Sequence, residues 1–203
     1  MIEKNLIVVG KELRFGANYF APQAAMAKSH PHLHHARFRI QNAVPTTMRD
    51  DPGHSLFQWL GYIPGVVNQV PLGALDVLSG GFTGCWMAIY QMDGRQYVGH
   101  IGTEDTPNHL NTLAVKQAWR DFVRAPGVNA AAFTAFQPHH AGLTDPFVRG
   151  LLASKTSQEK FLGLVTTERK CFSVLLFGVG QNTWRVAAVR PQQPRGGLAN
   201  LFP

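Results

Sequence analysis

The sequence predicts an α/β chain: a mainly antiparallel β-sandwich core flanked by helices, a single domain over residues 1–190 followed by an extended Pro/Gly-containing tail at 191–203. Three observations predict it. Apolar segments of strand length come in runs joined by short turns, at 86–101 and again at 161–189, instead of alternating with helices, which argues against a doubly wound parallel sheet. The segment 106–125 has helical spacing of its apolar residues. A chain of 203 residues, 45% of them hydrophobic, can bury one core, and it must do so by burial alone, since Cys85 and Cys171 supply no disulfide framework.

The elements follow in order. Leu6-Ile7-Val8-Val9-Gly10 reads as a short strand, and the stretch after it, with His30, His32, His34 and His35 around Pro31, reads as loop. Between residues 56 and 71, Gly61, Pro64 and Gly65 exclude a helix, leaving a buried loop or short strand. The apolar segments 86–90 and 96–101 flank Met92-Asp93-Gly94, and Asp-Gly between two such segments signals a hairpin. Thr106-Pro107-Asn108 can begin a helix in which Leu110, Leu113, Ala114, Gln117, Ala118, Phe122 and Val123 sit mostly at i, i+3, i+4, i+7 spacing and which ends at Pro126-Gly127. Residues 130–136 read as a strand. Pro138-His139-His140-Ala141-Gly142 and Asp145-Pro146 mark a long exposed loop. A second meander, at 161–167, 171–177 and 184–189, turns at Glu168-Arg169-Lys170 and at Gly180-Gln181-Asn182.

Charge and motif content narrow the functions. Nineteen Lys+Arg against 12 Asp+Glu give +7, which suits nucleic acid, an anionic membrane or an acidic protein without choosing among them. The basic residues are dispersed, as at Arg37/Arg39, Arg120/Arg124, Arg169/Lys170 and Arg185/Arg190/Arg195, with no RNP-like motif or helix-turn-helix, so nucleic acid is not the expected partner. No apolar run reaches the roughly 18 residues of a membrane span. Met1-Ile2-Glu3-Lys4-Asn5 lacks the basic and apolar regions of a secretion signal, so a soluble chain without a cleavable signal is expected. Neither GxGxxG after a strand nor GxxxxGK[ST] occurs, and no cofactor is expected. His32 and His34 would share one face of a strand, but no carboxylate or cysteine stands among these histidines, and no metal is assigned to them.

Chemistry concentrates at Leu78-Ser79-Gly80-Gly81-Phe82-Thr83-Gly84-Cys85-Trp86. A cysteine directly after a glycine-rich turn, at the entry to an apolar strand, is well placed for a nucleophile, and the backbone N–H groups near Gly84 and Cys85 can hold an oxyanion. His100 lies on the returning strand of the same hairpin, in Val98-Gly99-His100-Ile101-Gly102-Thr103. The turn sets Cys85 opposite residues 97–101, beside His100, where a neutral imidazole can take the thiol proton. The competing reading makes Cys85 a small buried hydrophobe and His100 a packed histidine bonded to a carbonyl. Asp76, Glu104 and Asp105 are candidates to complete a triad, His109 is a candidate second base, and His139-His140 with Asp145 can border the site. Cys171 begins an apolar strand and is expected to be inert core.

Gly-Cys at a strand start, the hairpin, and a histidine fifteen positions later followed by Gly and Thr resemble the catalytic domain of cytotoxic necrotizing factor and, more loosely, the glutamine deamidase Burkholderia lethal factor. The resemblance spans residues 78–103. Those toxins carry Leu-Ser-Gly-Cys contiguously, whereas here Leu78-Ser79-Gly80 is separated from Cys85. The resemblance implies Cys85 as nucleophile and His100 as general base and acid in a protein glutamine deamidase, a bacterial toxin or effector that reaches the target-cell cytosol. It implies a target protein such as a small GTPase or a translation factor as partner. The residues alone leave open a peptidase, acyltransferase or transglutaminase of the same Cys-His class, and a non-enzymatic basic interaction module.

Overall fold

Asp93 and Gly94 stand alone between two apolar runs, and both adopt positive φ, 49° and 73°, the pair of conformations that a type I′ turn needs. The computed structural model describes residues 7–14, 40–42, 47–49, 56–104, 106–141, 158–180 and 183–196, and in it this turn joins β7 (Trp86–Met92) to β8 (Arg95–Ile101). The register runs from Met92 opposite Arg95 to Trp86 opposite Ile101. Met87 therefore faces His100, and Cys85, one residue before β7, lies two residues from Met87 on the same face.

The hairpin is the centre of a six-stranded sheet. β9 (Val128–Phe136) pairs with β7, and β5 (Val67–Pro71) pairs with β8, both antiparallel. Beyond them lie β13 (Arg195–Gly196) on β9 and β2 (Ile40–Asn42), parallel to β5. The second sheet has seven strands. Its centre is the meander of β10 (Glu159–Val165), β11 (Cys171–Gly180) and β12 (Thr183–Gln192). β1 (Glu12–Arg14) joins β12, while β6 (Val77–Gly80), β4 (Leu56–Leu60) and β3 (Thr47–Arg49) follow β10, with only β4 and β6 parallel in this sheet.

Side-chain alternation divides the first sheet between two cores. Cys85, Met87 and Ile89, with Val98 and Val70, point toward the second sheet and meet Phe161, Leu175 and Phe177. Ala88, Tyr90, Ala135 and Phe133 point the other way, against α1 (Leu110–Phe122), whose Val115, Trp119 and Phe122 recur at helical spacing. Tyr90 stacks on Phe133 at 5.2 Å and meets Trp119 edge-on at 5.6 Å.

The molecule is thus β-rich, two sheets about a shared core, with one α-helix among the described residues covering one face instead of helices on both sides. Residues 7–10 form turns, not a strand, because Gly10 takes φ +88° and its N–H reaches the Val186 carbonyl; the strand begins at Glu12. Residues 56–71 hold two full strands, β4 and β5. The expected exposed loop at 138 opens with one 3-10 turn, Pro138–Ala141, with Pro138 buried. Pro191 and Gln192 complete β12, and Arg195–Gly196 add to the first sheet. The remaining tail, 197–203, and His30, His32, His34, His35, Asp105 and Asp145 lie outside the described residues.

Candidate active site

Cys85 follows the segment Gly80-Gly81-Phe82-Thr83-Gly84, which carries the chain from the second sheet into the first. Its side chain is 1% exposed. The thiol donates to the Thr103 carbonyl oxygen at 3.2 Å and receives the Thr103 hydroxyl at 3.5 Å. Tyr62 donates its hydroxyl to the same carbonyl at 3.0 Å. Gln137 donates its amide to the Gly84 carbonyl at 3.1 Å, fixing the peptide that precedes the cysteine.

His100 is fully buried on the same inward face. Its Nδ1 lies 2.7 Å from Ser79 Oγ, and that hydroxyl donates to the Leu60 carbonyl at 2.6 Å. With the hydroxyl proton directed at Leu60, Oγ is left to accept, so Nδ1 carries the ring proton and Nε2 the lone pair. Nε2 has no hydrogen-bond partner. Phe82 stacks flat on the imidazole at 4.3 Å and 9°, and the Tyr62 ring stands 5.3 Å away. Burial pushes the His100 pKa down to about 3, so the ring is neutral at physiological pH.

The fold brings the two predicted residues to one face of adjacent strands, as diagonal neighbours, a relation that places positions about 7–8 Å apart. It does not bond them: the thiol is engaged by Thr103, and Nε2 is unpartnered. The other described candidates make contacts of their own. Asp76 is buried at the start of β6, where Oδ1 accepts the Thr167 N–H at 3.1 Å. Glu104 receives the Asn111 amide at 2.5 Å and its backbone N–H donates to Thr112 Oγ1, so it fastens the start of α1. His109 caps that helix, accepting the Asn111 N–H at 3.2 Å with Glu104 Oε2 at 3.4 Å. The His139 ring packs edge-on against Phe161 at 4.8 Å. Cys171 is 3% exposed, and burial pushes its thiol up to about 12, in line with an inert core residue.

Three residues about His100 escape a motif search: Ser79, Phe82 and Asn68. Ser79 was visible as part of Leu78-Ser79-Gly80, but its partner is set by the facing of two sheets. Asn68 interrupts Val67-Asn68-Gln69-Val70 at a position whose alternation points inward, and a polar residue there is the signal.

No protein family, curated protein or solved structure matches the chain. Among the described residues, no helix is long and apolar enough to cross a membrane.

Proposed function

We propose that this chain is a cysteine-dependent protein glutamine deamidase, a bacterial toxin or effector acting on a target protein such as a small GTPase or translation factor inside a target cell. One observation carries the reading: a buried histidine whose Nδ1 is held by a Ser79–Leu60 relay and whose Nε2 lone pair is unspent, on the same inward face as a cysteine at a strand entry. The similarity of residues 78–103 to cytotoxic necrotizing factor selects deamidation among Cys-His reactions.

In the locally opened site, where substrate and water relieve the burial that holds the ring neutral, Cys85 turns from Thr103 toward Nε2, which takes the thiol proton as Sγ attacks the carboxamide carbon of a glutamine. The oxyanion is held by backbone N–H groups near Gly84 and Cys85. Nε2–H then protonates the departing nitrogen, releasing ammonia and leaving a thioester. Water, deprotonated by Nε2, attacks the thioester; the thiolate leaves, recovers the proton, and the product is glutamate. Ser79 is a positioning residue, fixing the tautomer. An amine in place of water gives transglutamination, and other acyl substrates would make the chain a peptidase or acyltransferase.

The test is intact mass of the target protein after incubation with wild type, Cys85→Ser and His100→Ala. A gain of about one dalton per site with wild type alone is expected; no gain across small GTPases and translation factors overturns the reading.

A second reading has its own observation. Exposures of 1% for Cys85 and 0% for His100 describe a core pair in a basic, non-enzymatic interaction module. Iodoacetamide separates the two: a module protects Cys85 in the folded chain, whereas an enzyme exposes it through local opening and loses that reactivity in His100→Ala.

A further inference from the structure

His100 is paired on both sides. Met87 faces it from β7 and Asn68 from β5, and cross-strand partners project from one face with Cβ atoms about 4.5–5.5 Å apart. Asn68 is 1% exposed and lies between the two sheets with His100. Its Nδ2 donates to the Gly61 carbonyl at 2.8 Å, which orients the amide, and its Oδ1 has no hydrogen-bond partner. The two neighbours are anchored alike: consecutive carbonyls at the end of β4, Leu60 and Gly61, hold Ser79 and Asn68. What remains is a pair of buried acceptors, His100 Nε2 and Asn68 Oδ1, on adjacent strands and with no donor for either.

A buried acceptor left without a donor is destabilising, and two on directly paired residues of one face define what would satisfy them. The occupant needs two N–H or O–H bonds close together and no negative charge, since both acceptors are electron-rich. A carboxylate, an ester oxygen or a tertiary amide fails that requirement. A primary carboxamide meets it with its –NH2 group. We infer that Asn68 Oδ1 and His100 Nε2 together form the seat for the –NH2 of a primary carboxamide, the nitrogen that leaves as ammonia. The inference rests on the deamidase reading and deepens it: Asn68 would select a glutamine side chain over esters and tertiary amides, and would keep the nitrogen in place while Nε2 exchanges the amide N–H for the thiol proton, so that Nε2–H then faces the nitrogen lone pair of the tetrahedral intermediate.

The test uses the full chain labelled with 15N-histidine, the His100 ring assigned by its loss in His100→Gln. It is titrated with propionamide, N,N-dimethylpropionamide and methyl propionate, which share one carbon skeleton and differ in N–H content. Propionamide should perturb the Nε2 resonance at a concentration at least about tenfold below the other two, the ratio given by one hydrogen bond of ordinary strength. Asn68→Ala should shrink that ratio. Equal responses to all three probes, no response to any because a fixed water holds the acceptors, or an undiminished ratio in Asn68→Ala would each overturn it. The three-probe comparison in wild type decides even where Asn68→Ala fails to fold. None of these readouts needs turnover: discrimination without a one-dalton gain keeps the seat and removes the deamidase, while a gain without discrimination does the reverse.

Discussion

Ser79 shows how one hydroxyl sets the chemistry of a neighbour. Its single proton is directed at the Leu60 carbonyl, so the oxygen accepts from His100 Nδ1, and the lone pair of the ring appears at Nε2. Removing the hydroxyl in Ser79→Ala takes the partner of a buried ring nitrogen away, and stability should fall by about 1–3 kcal/mol. A structural role predicts no more than that. The relay predicts in addition that the 15N pattern of His100 loses its pure Nδ1–H form, that Cys85 alkylation slows, and that Ser79→Thr restores both. Unchanged tautomer in Ser79→Ala would remove Ser79 from the mechanism. Ser79 stood in the sequence inside Leu78-Ser79-Gly80, but its role was not legible there, because it and His100 belong to different sheets.

At the scale of elements, the β7–β8 hairpin was readable because its determinants are local. Asp93-Gly94 fixes the turn, and period-two alternation then sends Cys85, Met87 and His100 to one face. The glycines around it divide by what they meet. A Cβ at Gly102 would collide with the Ile63 carbonyl and stand 2.9 Å from that of Val66, and neither backbone group can swing aside. Gly102 also exchanges hydrogen bonds with this loop, receiving Gly65 N–H and donating to Val66. Gly102→Ala should therefore lower stability by about 1–3 kcal/mol or prevent folding. At Gly84 a Cβ meets nothing within 4 Å, so the folded chain does not itself require glycine there. Gly84→Ala should keep its melting temperature within about 2 °C and lose activity if substrate passes over that peptide. Thermal melts of the two variants, with the mass assay on the second, check both expectations. The expected strand gave way to turns at residues 7–10 for an equally local reason, the positive φ of Gly10.

On the scale of the whole molecule, burying a neutral histidine links stability to pH. The unfolded chain binds a proton at His100 below about 6.5, while the folded chain resists protonation down to about 3. The unfolded state therefore holds more protons throughout that window. His100 adds no pH dependence above that window, and stability falls by about 1.4 kcal/mol per pH unit as pH drops from 6.5 toward 3. His100→Gln should flatten that slope, read from urea midpoints at a series of pH values; an equal slope in both would mean the ring is not buried in solution. Hydrophobic content, strand runs, the hairpin and its two chemical residues were fixed by composition and by spacing of two or four residues, which act along the chain. Only tertiary structure decided that two sheets face each other across Cys85 and His100, that Leu60 and Gly61 anchor Ser79 and Asn68, and that Phe82 covers the imidazole. The reason is physical: alternation states which face a side chain takes, whereas its partner on that face is chosen by the packing of segments distant in sequence.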